Sequence, residues 1–301
     1  MKYLDVLAAV AQGAGCGVLF DEPMEKHTTF KIGGPADLFI TTETPEQLRA
    51  VLRKARELSV PYHILGRGSN LLVSDEGIRG AVIALAGEFQ NIQTEGNTIT
   101  CGAAVMLTAL CKAALDNSLS GLEFAWGIPG SAGGALFMNA GAYGSEMKNV
   151  VTSCTCMTPD GEIRTMVPEE LQLAYRHSVF HETEAVILTV TVTLSPGDSK
   201  EIGAAMEDFI TRRKTKQPLE FPSAGSVFKR PEGYYAGALI EQCGLKGKRI
   251  GGAMVSEKHA GFIINVGGAT CKDVLELVRF IQETVKRETG VTLECEIRPV
   301  S

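Results

Sequence analysis

The chain has 301 residues, 45% of them apolar, enough for one large or two medium domains with a substantial core. Its net charge is −6 and its pI near 5.5; nucleic-acid affinity rests on a basic face that neutralises phosphates, so this balance argues against a nucleic-acid binder. Eight cysteines with no Cys-x-x-Cys pair, and five scattered histidines, exclude a zinc spacing and fit reduced, buried thiols in a cytosol.

Residues 1–20 read as a helix and turn, with Leu4, Leu7, Ala8 and Ala11 on one face. Met1 to Cys16 loosely resembles a lipoprotein signal, but Asp5 interrupts it and no sustained apolar core follows a basic start. No stretch approaches the ~20 apolar residues that span a bilayer. Residues 28–41 predict a turn and then a strand in which Ala36, Leu38 and Ile40 alternate. Pro45 to Leu58 predicts a helix, with Leu48, Val51, Leu52 and Ala55 at helical spacing and proline at its start. Tyr62 to Leu65 predicts a short strand entering a glycine loop, followed by strands at 71–74, 81–85 and 98–101 and a helix from Met106 to Asn117. A second glycine-rich segment, Gly127 to Gly144, precedes strands at 150–157, 162–166 and 185–194.

Pro196-Gly197-Asp198 breaks this pattern and marks the expected domain boundary. Beyond it come helices at 199–215, Ala236–Cys243 and Thr270–Glu288, and strands at 252–256 and Phe262–Val266. Thr270 with Asp273 predicts the N-cap of the long helix and Gly290 its stop. Residues 291–298 alternate as a final strand: Val291, Leu293, Cys295 and Ile297 face one way, Thr292, Glu294, Glu296 and Arg298 the other. The expected class is α+β, with a strand-rich domain at 1–197, split in two near residue 80, and a smaller α/β domain at 198–301.

Three segments carry chemistry. Gly66-Arg67-Gly68-Ser69-Asn70 follows a strand, and Gly127-Ile128-Pro129-Gly130-Ser131-Ala132-Gly133-Gly134 repeats its small-residue design. Glycines let the backbone approach a ligand and aim N–H groups at an anion. Neither loop ends in Gly-Lys-Ser/Thr and neither completes Gly-x-Gly-x-x-Gly, so neither a Walker loop nor a Rossmann fingerprint is present. Each alone is an ordinary tight turn; two in one strand-rich domain favour a dinucleotide. The third segment, Ser223-Ala224-Gly225-Ser226-Val227-Phe228-Lys229-Arg230, presents one hydroxyl beside a cation, downstream of the cationic run Arg212, Arg213, Lys214, Lys216.

These motifs, with His27-Thr28-Thr29-Phe30-Lys31-Ile32-Gly33-Gly34-Pro35-Ala36-Asp37, Asn139-Ala140-Gly141-Ala142-Tyr143-Gly144, Tyr175-Arg176-His177-Ser178, Leu245-Lys246-Gly247 and Leu293-Glu294-Cys295-Glu296-Ile297-Arg298, stand in one order along nearly the whole chain. In that order they resemble the UDP-N-acetylenolpyruvoylglucosamine reductase family of bacterial peptidoglycan synthesis, in its shorter form without an inserted tyrosine loop. The resemblance implies FAD bound by a first domain of the vanillyl-alcohol-oxidase (PCMH) type, NADPH as reductant and a C-terminal domain over the substrate. It assigns FAD contacts to Gly66, Arg67, Gly68, Ser69, Asn70, Gly130, Ser131, Gly133, Gly134 and Asn139.

The implied substrate is an enol ether bearing a carboxylate, UDP-N-acetylenolpyruvoylglucosamine. Hydride from flavin N5 reaches its terminal methylene, and charge develops at the adjacent carbon. Arg176 suits that charge with a cationic fork matched to a carboxylate; Glu296 is expected to act protonated, with a raised pKa; Ser226 is expected to protonate the carbanion-like carbon. Tyr175, Arg213, Lys216, Lys229 and Glu241 are expected substrate or NADPH contacts, and His177 and His181 surface or capping residues. A cytoplasmic monomer acting on a small molecule, with neither nucleic acid nor membrane as partner and no metal, is expected. The rival readings are an oxygen-using FAD oxidase of the same flavin-domain class, an inactive sugar-nucleotide-binding flavoprotein and a phosphate-loop sugar-nucleotide transferase.

Overall fold

The computed structural model describes residues 2–301. They form two compact units that follow packing rather than chain order. The first comprises the chain to Phe20, Leu38–Arg67 and Gly80–Arg212; the second comprises Asp21–Asp37, Gly68–Arg79 and Arg213–Ser301. The Pro196-Gly197-Asp198 break lies inside the first unit's last segment. The helix that begins at Ser199 buries Ile202 and Met206 in the first unit's core, while Phe30, Ile32 and Leu72 are buried in the second unit's core.

In the first unit, α1 (Lys2–Gly13) and α2 (Pro45–Glu57) share a core with the strands Pro35–Thr42 and Ile78–Leu85. The apolar stripe Leu7, Ala8, Ala11 meets Leu48, Val51, Leu52, Ala55 and the strand residues Leu38, Ile40, Ala81 and Ile83. Proline opens α2 as expected, and the Thr44 hydroxyl accepts the Gln47 N–H. Tyr62–Leu65 pairs in parallel with Ile78–Leu85 and ends at the first glycine loop.

A second, antiparallel sheet runs in the order Ile163–Met166, Val151–Met157, Val186–Thr193, Thr98–Gly102, Ile92–Glu95. Its buried residues, among them Ile99, Cys101, Cys154, Cys156, Val190 and Val192, pack with Leu107, Leu110, Cys111 and Ala114 of α3 (Leu107–Asp116). The intervening positions carry cross-strand hydroxyl pairs, Thr100 with Thr191 and Thr155 with Thr189. Within the glycine-rich segment the chain forms a short helix, α4 (Ala132–Phe137), that its sequence did not announce. After α5 (Pro168–Leu171) the unit ends with α6 (Ser199–Lys216), most of which belongs to it.

In the second unit, Ser223–Ser226, Phe262–Asn265, Ala253–Val255 and Arg249–Ile250 form an antiparallel sheet. α7 (Ala236–Gln242) and α8 (Cys271–Thr289) share its core; Val274, Leu277, Val278, Ile281 and Val285 of α8 are buried there. Thr270 and Asp273 form the reciprocal cap of α8, and Gly290 ends it at φ 77°, as the sequence predicts.

The final segment corrects the sequence reading. Leu293 and Ile297 are buried while Thr292, Glu294 and Arg298 are exposed, so the alternation reports burial faithfully. A strand forms only at Arg298–Val300, parallel to Leu71–Val73. Upstream, the neighbouring chain leaves strand geometry after Ser226, so only one bridge forms, Phe228 to Cys295. Gly17–Pro23 is a strand where a turn was expected; its irregular exposure hides it from a periodicity test.

All eight cysteines are free and most are buried. Burial pushes the Cys101 and Cys111 thiols up to about 12, so neither is a ready nucleophile.

Candidate active site

The start of the first glycine-rich loop, Gly66, touches the second loop within the first unit. A Cβ on Gly66 would stand 2.9 Å from Ser131 Oγ. Ser131 is buried and caps α4, its hydroxyl accepting the Gly134 N–H at 3.2 Å. Gly133 has no room for a side chain, because a Cβ would lie 2.8 Å from that of Ala103, and its N–H is bound to the Ala103 carbonyl at 2.9 Å. Gly130 accepts the Leu107 N–H at 3.0 Å. Gly66, Arg67 and Gly134 remain exposed. The Gly133 and Gly134 N–H groups and the Ser131 hydroxyl are thus engaged inside the protein. What stays open is backbone bare of side chains at Gly66 and Gly134 with the Arg67 cation beside it, which suits close approach by the diphosphate of the FAD that the resemblance implies.

The Arg176 turn lies in the same unit. Ala174 and His177 exchange two backbone hydrogen bonds, 3.1 and 3.2 Å, and put Tyr175 and Arg176 at the tip. Arg176 has φ 55°, and a left-handed conformation at a non-glycine residue costs about 1–2 kcal/mol. Its guanidinium lies 4.9 Å from the Tyr175 ring centroid. Two buried side chains hold the strained turn from the end of α4. Asn139 Nδ2 donates to the Ala174 carbonyl at 3.0 Å, and the Ser178 hydroxyl donates to the Phe137 carbonyl at 2.7 Å. Asn139 also donates to Glu146 at 3.0 Å and accepts the Lys148 N–H at 2.9 Å. Its amide is thus engaged inside the protein and supports the arginine turn. His181 Nδ1 accepts the Ser178 N–H at 3.3 Å, the capping role expected of it, and His177 lies 3.6 Å from Glu182.

Replacing Asn139 by alanine removes its hydrogen bonds to the Ala174 carbonyl, the Lys148 N–H and Glu146, each worth about 0.5–1.5 kcal/mol net. The urea midpoint of Asn139→Ala is expected to fall accordingly; an unchanged midpoint would show that the turn does not depend on this amide.

The second unit builds Ser226 and Glu296 into neighbouring positions. The strand Ser223–Ser226 pairs with Phe262–Asn265, with Ser223 opposite Ile264, Ser226 opposite Phe262 and an irregularity between. Gly225, at φ 77°, supplies the backbone freedom for that bulge, which re-aims Ser226. Ser226 Oγ bonds to no other described residue. Next to it, the Val227 carbonyl accepts the Glu296 N–H at 2.7 Å, and Asn70 Nδ2 donates to the Glu296 carbonyl at 3.1 Å. The Glu296 backbone is thereby pinned on both sides. Glu294, two residues earlier, instead lies 3.5 Å from Lys229.

The remaining expected contacts are dispersed. Gly68, at φ 60°, packs so closely that a Cβ would fall 2.1 Å from the His27 carbonyl oxygen, so it serves the fold of the second unit; Ser69, beside it, is half-buried. Arg213 donates to Gln217 at 3.3 Å, Glu241 pairs with Lys246 at 2.6 Å, and Lys216 is exposed. Sequence reasoning missed His259, a half-buried imidazole beside the Ser226 strand. A single histidine without a spaced partner gives no motif to find. Among the described residues no cluster of three His, Cys, Asp or Glu side chains is placed to hold a metal.

Comparisons with known proteins sharpen this picture. Residues 36–166 match the family described as FAD binding domain, and residues 217–300 match UDP-N-acetylenolpyruvoylglucosamine reductase, C-terminal domain. A UDP-N-acetylenolpyruvoylglucosamine reductase of Alkaliphilus oremlandii is 51% identical over 283 residues, covering 94% of this chain and 93% of that protein. The crystal structure of UDP-N-acetylenolpyruvylglucosamine reductase from Thermus caldophilus superposes with a TM-score of 0.82 at 39% identity, over 95% of this chain and 99% of that one. A berberine bridge enzyme variant matches 64% of this chain and 44% of its own at TM-score 0.51 and 15% identity, a likeness of fold alone.

Proposed function

The chain belongs to the UDP-N-acetylenolpyruvoylglucosamine reductase family, and we propose that it performs that family's reaction through Arg176, Ser226 and Glu296. It is an NADPH- and FAD-dependent oxidoreductase of peptidoglycan synthesis, acting on a small sugar-nucleotide substrate. Bound FAD, reduced by NADPH, supplies the hydride that adds to the terminal methylene carbon of the enolpyruvyl group. The chain's own residues manage the charge and proton that follow.

Arg176 meets the substrate carboxylate with a planar, permanently charged fork. Asn139 and Ser178 brace the backbone of the turn from which the guanidinium projects, which supports a donor held ready for the charge that develops in the transition state. Glu296, in its protonated form, donates to the developing enolate oxygen; an ionised carboxylate there would oppose the charge. The Ser226 hydroxyl gives its proton to the carbon next to the carboxylate and regains one from solvent. A serine hydroxyl is a weak acid, but a carbanion-like centre is a strong base, and position then matters more than acidity.

The observation that most supports this reading is the Ser226–Glu296 juxtaposition. Two groups 70 residues apart in sequence share the Val227 carbonyl as a fixed point, and Ser226 keeps its hydroxyl free of other described residues. Gly66, Arg67, Gly130, Ser131, Gly133 and Gly134 are proposed to hold FAD. Asn70 and Asn139 are proposed to serve it through the backbone they brace, and Gly68 and Ser69 through their loop. Tyr175, Arg213, Lys216, Lys229 and Glu241 are proposed contacts for the nucleotide phosphates and sugar. A cytoplasmic monomer completes the proposal; among the described residues no helix is long and apolar enough to cross a membrane. The reading is tested by following NADPH oxidation without oxygen. Consumption should require UDP-N-acetylenolpyruvoylglucosamine and yield its lactyl ether in equal amount. Consumption that required oxygen instead would support the oxidase.

A further inference from the structure

His259 lies in the tight connection between the strands Ala253–Val255 and Phe262–Asn265. The buried Ser256 hydroxyl accepts the N–H groups of Lys258 and His259, at 3.1 and 3.3 Å, and the His259 carbonyl accepts the Phe262 N–H at 3.0 Å. The imidazole sits against two glycines. A Cβ on Gly261 would stand 3.0 Å from its Cε1 and 3.1 Å from its Nδ1, and one on Gly237 of α7 would stand 3.2 Å from Cε1. Phe262 packs edge-on at 5.0 Å between ring centroids.

Gly261 connects this ring to Ser226. Its N–H donates to His259 Nδ1 at 3.1 Å, and its carbonyl accepts the Val227 N–H at 2.9 Å. The space a Gly261 Cβ would take lies 3.6 Å from Ser226 Oγ. A backbone amide only donates, so Nδ1 must be the unprotonated nitrogen. We propose that His259 is a positioning residue for Ser226: its Nδ1, as acceptor, holds Gly261 against the Ser226 strand and so fixes the direction of the Ser226 hydroxyl. The inference rests on the reading of Ser226 as proton donor.

A consequence is acid sensitivity. When Nδ1 gains a proton, two donors face each other and the Gly261 bond is lost. Burial holds the His259 pKa below its ordinary value near 6.5, so the acceptor form prevails at neutral pH. The charged groups around it act in smaller, opposed ways: Lys246 disfavours the proton and Glu241 favours it, and these two are paired with each other. In its own connection, Lys258 is drawn to the Lys214 carbonyl at 2.8 Å and to Glu220 at 3.5 Å, and Glu257 packs against Gly247. Because the folded pKa is depressed, the unfolded chain binds the extra proton first as pH falls. The stabilisation is therefore complete above the unfolded pKa and declines as pH falls below about 6.5 toward the folded value.

The experiment compares wild type with His259→Asn, His259→Phe and Ser226→Ala by rapid-mixing of each half-reaction, and by urea unfolding from about pH 7 to about pH 5. Asn keeps an acceptor that does not titrate; Phe keeps volume without an acceptor. Expected for His259→Phe is reduction by NADPH at the wild-type rate, with reoxidation by substrate slowed about 100-fold, the loss typical of ångström-scale misplacement. In His259→Asn reoxidation should recover relative to Phe, without the acid decline of wild type, and the urea midpoint should lose the histidine part of its pH dependence. An acid decline that persists in His259→Asn, or full reoxidation in His259→Phe, would overturn the inference. Should His259→Phe not fold, the pH profile and urea series of His259→Asn decide alone. Full reoxidation in Ser226→Ala would instead defeat the reading of Ser226 itself.

Discussion

Replacing Ser226 by alanine is expected to leave reduction by NADPH nearly intact and to slow reoxidation by the enolpyruvyl sugar about 10²–10⁴-fold, the range for loss of a positioned proton donor. The split follows from the chemistry. The hydroxyl has no part in accepting hydride from NADPH, whereas the carbanion-like centre formed from the substrate needs its proton. Ser226 is half-buried and its hydroxyl bonds to no other described residue, so the substitution leaves no buried partner unsatisfied and the fold should survive. Rapid-mixing absorbance at the flavin band separates the two halves. If both halves slowed equally, Ser226 would be a structural or binding residue rather than the proton donor.

Replacing Arg176 by alanine is expected to lower kcat/KM for the enolpyruvyl sugar by about 10²–10³, or roughly 3–4 kcal/mol of transition-state stabilisation. Lysine should recover only part of this, because a point charge cannot reproduce the two parallel donors of a guanidinium. The comparison is informative because the turn is held by its backbone pair and by Asn139. Both variants should therefore keep their urea midpoints and their reduction by NADPH. Arg176→Lys with wild-type kcat/KM would show that the forked geometry is not used.

The helices were legible because their signals are local. Pro45, Thr270 with Asp273, and Gly290 mark ends through their own backbone chemistry, and the apolar stripes of α2 and α8 repeat within a few turns. The strand Gly17–Pro23 was not, since its exposure does not alternate; α4 was hidden because glycine and alanine carry no stripe. At the final segment the alternation was real but its partner was absent, and only the folded chain shows that Phe228 offers a single bridge.

The candidate site divides in the same way. The glycine loops announced themselves by composition, and Arg176, Ser226 and Glu296 by their motifs. That Glu296 is pinned between Val227 and Asn70 is a long-range fact that no local spacing encodes. Asn139 shows the reverse. Its place in a glycine-rich motif reads as a ligand contact, yet its buried amide faces Ala174 and Lys148. The residue suits the position because asparagine tolerates the left-handed φ of 41° found there. His259 left no mark at all, because its partner is a backbone N–H two residues away.

The most direct test of the account is an anaerobic absorption spectrum of the FAD-loaded protein, recorded before NADPH, after one equivalent of it, and after UDP-N-acetylenolpyruvoylglucosamine. Bleaching by NADPH followed by recolouring with the enolpyruvyl sugar is the predicted result. Bleaching that only oxygen reverses, or a protein that takes up no FAD, would contradict it.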